Sequence, residues 1–236
     1  MLVVEDNPDN QKLAIRLLER HNLSCDVASN GMEALAKFST KKYALIFMDC
    51  QMPVMDGFQA TGAIREHERL SPQRAPIIAM TAHALPEDRQ KCLAAGMDDY
   101  VSKPINEILL GAAINKWLPK IKSVPPPLVD DEVQSPQSGN KIQIRAKSGL
   151  EELIPGYLTN RRQDLVVLGE AVRQGDMGIA KTVGHGMKGS GSGYGFPVIS
   201  EIGRGIEQSA LAKDGEGIER QLVILEEYLE RLEIVY

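Results

Sequence analysis

The chain has 236 residues and a net charge of −5, which falls entirely on residues 123–236 because residues 1–122 are neutral. Neither half has the clustered Lys and Arg that nucleic-acid backbones attract, so no nucleic-acid partner is expected. No run of about 18 apolar residues predicts a membrane span, and the 3 cysteines lack metal-ligand spacing. We therefore expect reduced thiols in a cytoplasmic protein without direct membrane contact.

Residues 1–118 alternate short apolar runs with amphipathic stretches, a pattern typical of a parallel sheet covered by helices on both faces. The predicted strands are residues 2–4, 25–28, 44–48, 76–80 and 99–101. Five such units predict a doubly wound, flavodoxin-like α/β domain whose functional site lies at the carboxyl ends of its strands.

Residues 119–147 are rich in Pro and polar side chains, including the run 125–127 of three prolines, and predict a linker. No strand pattern is expected after it. Apolar residues instead recur at helical spacing, and the predicted helices are residues 150–171, 179–187, 198–211 and 218–234. The sequence therefore predicts an all-α four-helix bundle at residues 148–236.

Acidic residues follow two predicted strands at their carboxyl ends. Glu5 and Asp6 come after the first strand, and Asp49 comes after the third. These strands are neighbours at the switch point of a doubly wound sheet, so the three carboxylates should converge. Clustered carboxylates need a cation among them, and hard oxygen ligands suit Mg²⁺. A magnesium site that neutralises a transferring phosphoryl group is therefore predicted.

Thr81 closes the fourth predicted strand, and Lys103 follows the fifth. A hydroxyl and an ammonium at adjacent strand ends can bind the phosphoryl oxygens that a metal leaves free. With residues 3–7 and 48–57 and the pairs Thr81-Ala82 and Lys103-Pro104, residues 1–118 resemble a response-regulator receiver domain. Residues 88–100 are similar to receivers attached to hybrid sensor kinases, although His83 stands where those often carry Asn.

The receiver resemblance implies a role for each matching residue. Asp49 would be the phosphorylated nucleophile, and Lys103 would pair with the phosphoryl group, with a cis peptide bond to Pro104. Thr81 and Tyr100 would form a conformational switch. The implied Mg²⁺ ligands are Glu5 (through water), Asp6, Asp49 and the main-chain carbonyl of Gln51.

A rival interpretation of this half is a phosphatase of the haloacid dehalogenase type, which also uses an Asp nucleophile with Mg²⁺. Such enzymes carry a second acid two residues after the nucleophile, whereas position 51 is Gln. The missing general acid favours a slow acceptor over a turnover enzyme.

A second acceptor is predicted at His185, because Lys188 and Gly189 lie three and four residues further on and share its helical face. Lys188 would offset phosphoryl charge, and Gly189 would leave room for a partner's active site. Residues 185–190, followed by Gly195 and by Ile206-Glu207, resemble the motif of the histidine-containing phosphotransfer domain, a four-helix bundle whose second helix carries the reactive His. Its partners would be receiver domains.

Together the two resemblances imply a phosphorelay protein: a histidine kinase passes a phosphoryl group to Asp49, and His185 relays it to or from an aspartate of its own or a downstream receiver. No segment resembles an ATP-binding kinase domain. Because the first strand begins at residue 2, we expect the chain to be the C-terminal part of a longer hybrid sensor kinase, and a free-standing protein is the other option. If the kinase is membrane-bound, this chain would be a cytoplasmic part of it. The alternative is a regulatory interaction module whose helical domain serves only docking or dimerisation.

Overall fold

The structure is a computed structural model that describes residues 1–69, 74–81, 86–118 and 141–236. The chain divides into two compact units, residues 1–127 (the N-terminal unit) and 128–236 (the helical unit). Most of the predicted linker, and His83, lie outside the described residues, so the predicted domain boundaries at 118 and 148 stay predictions. Within the described ranges, no helix is both long and apolar enough to cross a membrane.

Strands and helices alternate along the described part of the N-terminal unit. They are β1 (Leu2–Val4), α1 (Pro8–Arg20), β2 (Asp26–Ala28), α2 (Gly31–Thr40), β3 (Ile46–Asp49), α3 (Gly57–Glu68), β4 (Ile77–Thr81), α4 (Pro86–Ala94), β5 (Asp99–Ser102) and α5 (Glu107–Trp117). The strands form one parallel sheet in the order β2-β1-β3-β4-β5. The predicted five-stranded, flavodoxin-like fold is confirmed for this unit.

Burial and helix capping explain why the sequence adopts this fold. Every residue of β1, β3 and β4 is buried, as expected for central strands with helices on both faces. Helices α1 and α2 begin where a polar side chain, Asn7 and Asn30 respectively, accepts hydrogen bonds from the first free N–H groups. A capping box between Asp56 and Gln59 starts α3. These caps set where each loop at the carboxyl edge ends.

The strand register places the predicted site residues along one edge of the sheet. Val4 pairs with Met48, and Asp49 pairs with Met80. The residue after β1 and the last residue of β3 therefore lie side by side. Thr81 pairs with Ser102, which brings the end of β4 beside the residue that precedes Lys103.

Four helices make up most of the helical unit: α6 (Ile154–Gln174), α7 (Met177–Tyr194), α8 (Pro197–Leu211) and α9 (Gly215–Arg231). Each packs against its neighbours in the chain, and α9 packs back against α6. The apolar residues predicted at helical spacing thus lie on packed helices. The assignment of these helices to a phosphotransfer bundle stays a prediction.

The predicted absence of strands after the linker was wrong. β6 (Ile142–Arg145) and β7 (Leu232–Val235) pair in parallel, so the last residues of the predicted linker form a strand and α9 ends before residue 234. The physical reason is alternation: apolar Ile142 and Ile144 are half-buried, whereas the polar residues between and after them are exposed. Such alternation with period two is a strand signal.

The glycine-rich part of α7 is helical to Tyr194 rather than ending near residue 187, and Gly195, at φ +98°, ends it. Close packing between α7 and α8 requires a glycine on each helix, Gly184 on α7 and Gly203 on α8. A Cβ on Gly184 would come within 2.9 Å of the Gly203 carbonyl oxygen, and one on Gly203 within 2.7 Å of the Gly184 carbonyl oxygen. Because each helix lacks a side chain where the other passes, the two backbones approach closely enough for α8 residues to reach the His185 face.

Candidate functional site

Three carboxylates meet at the carboxyl edge of the sheet in the N-terminal unit. One ligand oxygen each of Glu5, Asp6 and Asp49 lies within 4.8 Å of the other two. Glu5 and Asp49 are almost completely buried, whereas Asp6 is half-buried. The structure therefore brings together the three acids that the strand order predicted.

Lys103 connects two of these acids. Its Nζ lies 2.6 Å from Oδ2 of Asp49 and 2.6 Å from Oε2 of Glu5, and all three side chains are buried. The residue directly follows β5, and its main-chain N–H donates to the Thr81 carbonyl at 2.7 Å. The Lys103-Pro104 peptide bond is cis, as expected. Backbone pairing thus holds the lysine at the same edge as the acids.

Burial and charge work against each other in this cluster. Burial raises the pKa of the Asp49 carboxyl to about 7; Glu5 adds to the rise, and the Lys103 ammonium opposes it. For Lys103 burial acts to lower the pKa, but the two carboxylates outweigh burial and raise it above its usual range. The lysine therefore stays charged, whereas Asp49 is held between its protonated and ionised forms near neutral pH.

Hydrogen bonds from α1 and from the loop after β3 orient the acids. The Asn10 amide donates to Oε1 of Glu5 at 2.9 Å, and the Gln51 main-chain N–H donates to Oδ1 of Asp49 at 3.1 Å. A Cβ at Gly57 would overlap the Asp49 carbonyl, so only glycine fits there. Asn10 was not predicted from the sequence. The sequence feature that could have identified Asn10 is its position one helical turn past the Asn7 cap, because that turn faces the end of β1.

In the helical unit, His185 lies on α7 with its ring turned toward α8. Nδ1 of His185 is 2.7 Å from Oε1 of Glu207, and Nζ of Lys188 donates to Oε2 of the same carboxylate at 2.9 Å. All three side chains are largely shielded from solvent. Lys188 shares the face of His185 as predicted, but it binds Glu207, and Glu207 was not predicted to contact the imidazole.

The Glu207 carboxylate determines which ring nitrogen carries a proton. The hydrogen bond from His185, followed by the one from Lys188, lowers the pKa of Glu207 to about 2 against the opposing effect of burial. An ionised carboxylate can only accept hydrogen bonds, so Nδ1 of His185 is the donor. A neutral imidazole in this position keeps its lone pair on Nε2.

Gly189 was predicted to leave room for a partner's active site. In the structure Gly189 is buried within the helical unit, so its exposure does not support that role. Its neighbour Ser190 is also buried, and it joins α7 to α6 through the Tyr157 hydroxyl at 3.2 Å. This side of α7 therefore packs inside the unit. The role of Gly189 stays a prediction.

Residues 1–115 match the family model of the response regulator receiver domain. The N-terminal half of this chain is a receiver domain. It is homologous to the receivers of hybrid histidine kinases. Over 125 residues it is 45% identical to hybrid signal transduction histidine kinase I of Dictyostelium discoideum, and the match covers 51% of this chain and 7% of that protein. Over 118 residues it is 42% identical to the sensor histidine kinase GacS of Pseudomonas protegens, covering 50% and 13% respectively.

Among solved structures, the receiver domain of the sensor histidine kinase PA1611 from Pseudomonas aeruginosa, with a magnesium ion coordinated in its active-site cleft, is 40% identical. The match covers 50% of this chain and 95% of that one, with a TM-score of 0.45. The chain thus spans only a small part of the curated kinases it matches. The family match ends at residue 115 and does not extend to the helical unit.

The two predicted switch residues lie on adjacent strands of the receiver domain. Thr81 ends β4 and is buried, and Tyr100 is half-buried on β5, paired with Ala79. Tyr100 packs against the cluster of apolar side chains that includes Met48 and Ala79. The structure thus gives their positions, and the switch itself stays a prediction.

Proposed function

We propose that this chain is a phosphorelay protein in which Asp49 of the receiver domain accepts a phosphoryl group from a kinase histidine and His185 of the helical unit relays it to or from an aspartate. The aspartate would be Asp49 itself or that of a downstream receiver. The observation that carries the proposal is the pairing, in one chain, of a buried Asp49–Lys103 site with a histidine whose Nδ1 is held by Glu207.

The residues of the acidic site fit a magnesium ion. Three carboxylates converge here, and the Lys103 ammonium lies 2.6 Å from an oxygen of each of two of them, Glu5 and Asp49. Hard oxygen donors with excess negative charge are what Mg²⁺ requires. Asp6, Asp49 and the main-chain carbonyl of Gln51 would hold the ion, with Glu5 acting through water. When bound, Mg²⁺ supplies positive charge to the oxygens of the transferring phosphoryl group.

Asp49 provides the nucleophile of the first transfer. One of its oxygens forms the bond to phosphorus while the bond from phosphorus to the kinase imidazole nitrogen breaks, so the phosphoryl group passes to the carboxylate. Lys103 lies 2.6 Å from Oδ2 and supplies the fixed positive charge beside the reacting atoms. Thr81, at the end of the neighbouring strand, would donate its hydroxyl to a phosphoryl oxygen.

His185 provides the nucleophile of the second transfer. Glu207 accepts a hydrogen bond from Nδ1, so the lone pair of Nε2 is available to attack the phosphorus of an aspartyl phosphate. The bond from phosphorus to the carboxylate oxygen breaks, and the free carboxylate is regenerated. Lys188, held 2.9 Å from Glu207, offsets the charge that arrives on the imidazole.

Radiolabelled acetyl phosphate with Mg²⁺ tests the order of transfer, because the two products differ in stability. An aspartyl phosphate is destroyed by base, whereas a phosphohistidine survives base and is destroyed by acid. The full chain should carry both kinds of label. Asp49→Ala should carry neither, and His185→Gln should carry only the base-labile label. His67→Gln, which removes an exposed histidine of α3, is the matched control and should behave like the wild type.

Mixing the two variants separates transfer within one chain from transfer between chains. Base-stable label on Asp49→Ala after addition of His185→Gln would show transfer between chains. Base-stable label on Asp49→Ala alone would contradict the proposed order. If His185 never acquires label, either from Asp49 or from a separate phosphorylated receiver, the helical unit serves docking or dimerisation instead.

A further inference from the structure

Two cysteines of the receiver domain lie against each other beside the phosphoryl acceptor. Cys50 directly follows Asp49, and Cys92 belongs to α4. Their Sγ atoms are 3.8 Å apart, both side chains are buried, and neither forms a disulfide in this structure. Because an S–S bond is about 2.05 Å long, the sulfurs need to approach by a little under about 2 Å to bond.

Cys92 anchors α4 to the rest of the domain. Among residues 87–94, whose side chains the structure describes, it alone is buried, and the others are exposed or half-buried. Its sulfur joins the apolar cluster that contains Cys50, Ala79 and Met97. A helix held by one buried side chain opens and shifts at small cost in free energy, which both admits a small oxidant and allows the sulfurs to close their gap.

The backbone of Cys50, in contrast, is fixed on both sides. Its N–H donates to the Met80 carbonyl at 3.1 Å, and its carbonyl accepts from the Gly57 N–H at 3.3 Å. Any backbone movement that brings the two sulfurs together must therefore come mainly from α4. A bond between them would tie this helix to the residue that follows Asp49.

We propose that Cys50 and Cys92 are a modification site, at which a peroxide oxidises the two thiols to an intrachain disulfide. One thiol loses its proton, the thiolate attacks a peroxide oxygen, and the O–O bond breaks. The departing hydroxide takes up the proton that the thiol lost, so a sulfenic acid and water form. The second thiol then displaces the hydroxyl of the sulfenic acid, which leaves as water, and the S–S bond forms. Two thiols and one hydrogen peroxide thus give one disulfide and two waters. The bond does not depend on phosphoryl transfer, so this proposal stands apart from the proposed function.

The test uses the full chain carrying Cys25→Ala, which removes the third thiol and leaves only this pair. After treatment with hydrogen peroxide, mass spectrometry of the intact protein should show the loss of two hydrogen atoms, and digestion should yield one cross-linked peptide that contains both cysteines. A thiol reductant should restore the original mass. Cys25→Ala/Cys50→Ala and Cys25→Ala/Cys92→Ala are the matched controls, and neither should form the intrachain bond.

Hydrogen exchange provides a second measurement on the same samples. Amide exchange in α4 should slow by about tenfold or more in the oxidised protein, because the tether suppresses local opening. Two alkylatable thiols after oxidation, or a mass gain from sulfinic acid without a cross-linked peptide, would overturn the proposal.

Discussion

Glu207 on α8 holds His185 and Lys188 of α7 at the same time, one through each carboxylate oxygen. The ring that would carry the phosphoryl group and the cation that would neutralise it are therefore positioned by a single side chain from a neighbouring helix. Because α7 and α8 approach closely through Gly184 and Gly203, any change in their crossing moves this carboxylate relative to the ring.

Removing this carboxylate should slow phosphoryl acceptance by His185. In Glu207→Ala neither Nδ1 nor Lys188 keeps its partner, so we expect a single-turnover rate on the order of 10²-fold lower, the usual cost of a misplaced reacting group. Glu207→Gln keeps an acceptor for Nδ1 and should lose less. The measurement is the rate of transfer from a phosphorylated receiver. Glu201→Gln, which changes an exposed residue of α8, should keep the wild-type rate, and an unaltered rate in Glu207→Ala would refute the positioning role.

The low pKa of Glu207 predicts a stability that depends on pH. The carboxyl has a pKa of about 2 in the folded protein, against its ordinary value of 4.5 in the unfolded chain. Its contribution, at most on the order of 3 kcal/mol, is complete above about pH 4.5 and is lost as the pH falls toward about 2. The difference in unfolding free energy between wild type and Glu207→Gln should therefore shrink over this range. Hydrogen exchange of peptides from the helical unit, followed in urea, measures this difference in unfolding free energy. A difference that stays constant with pH would exclude the Glu207 ion pairs as the source of the stabilisation.

The strand ends of the receiver domain could be predicted because the parallel sheet imposes where they meet. Glu5, Asp49 and Lys103 each directly follow or end a strand, so the fold alone brings them together. Glu207 could not be placed in the same way, because the crossing of α7 and α8 depends on which glycines face each other. The β6–β7 pair was missed since its strands are four residues long and about 90 residues apart in the chain, and one was hidden at the end of a polar segment.

Magnesium affinity should rise with pH through about 7. The pKa of Asp49 is raised to about 7 without metal, and a protonated carboxyl cannot ligate the ion, so protons and Mg²⁺ compete. Calorimetric titration should show the dissociation constant falling by about tenfold per pH unit below 7 and levelling above it. Because the folded receiver holds the Asp49 proton more tightly than the unfolded chain does, the metal-free receiver should lose stability as the pH rises from about 3.8 toward 7.

Lys103→Ala should shift the midpoint of the affinity profile upward, because the ammonium lowers the pKa of Asp49. Lys12→Gln, which changes an exposed residue of α1, should leave the midpoint in place. A profile independent of pH would contradict the buried, partly protonated acid.

The close crossing of α7 and α8 predicts opposite effects for two glycine substitutions. In Gly203→Ala the new methyl group would overlap the backbone nitrogen of Lys188, so the helices must separate, and we expect a loss of about 1–3 kcal/mol in the stability of the helical unit. The same separation should weaken the contact of Glu207 with His185 and slow phosphoryl acceptance.

Gly169→Ala on α6 is the matched control, because nothing lies within 4 Å of a Cβ at this position. Replacing a glycine by alanine in a helix interior should raise the free energy of unfolding by about 0.5–1 kcal/mol. Urea unfolding followed by hydrogen exchange of α7 and α8 peptides measures both. Equal stabilisation by the two substitutions would show that the helices are further apart than the structure places them.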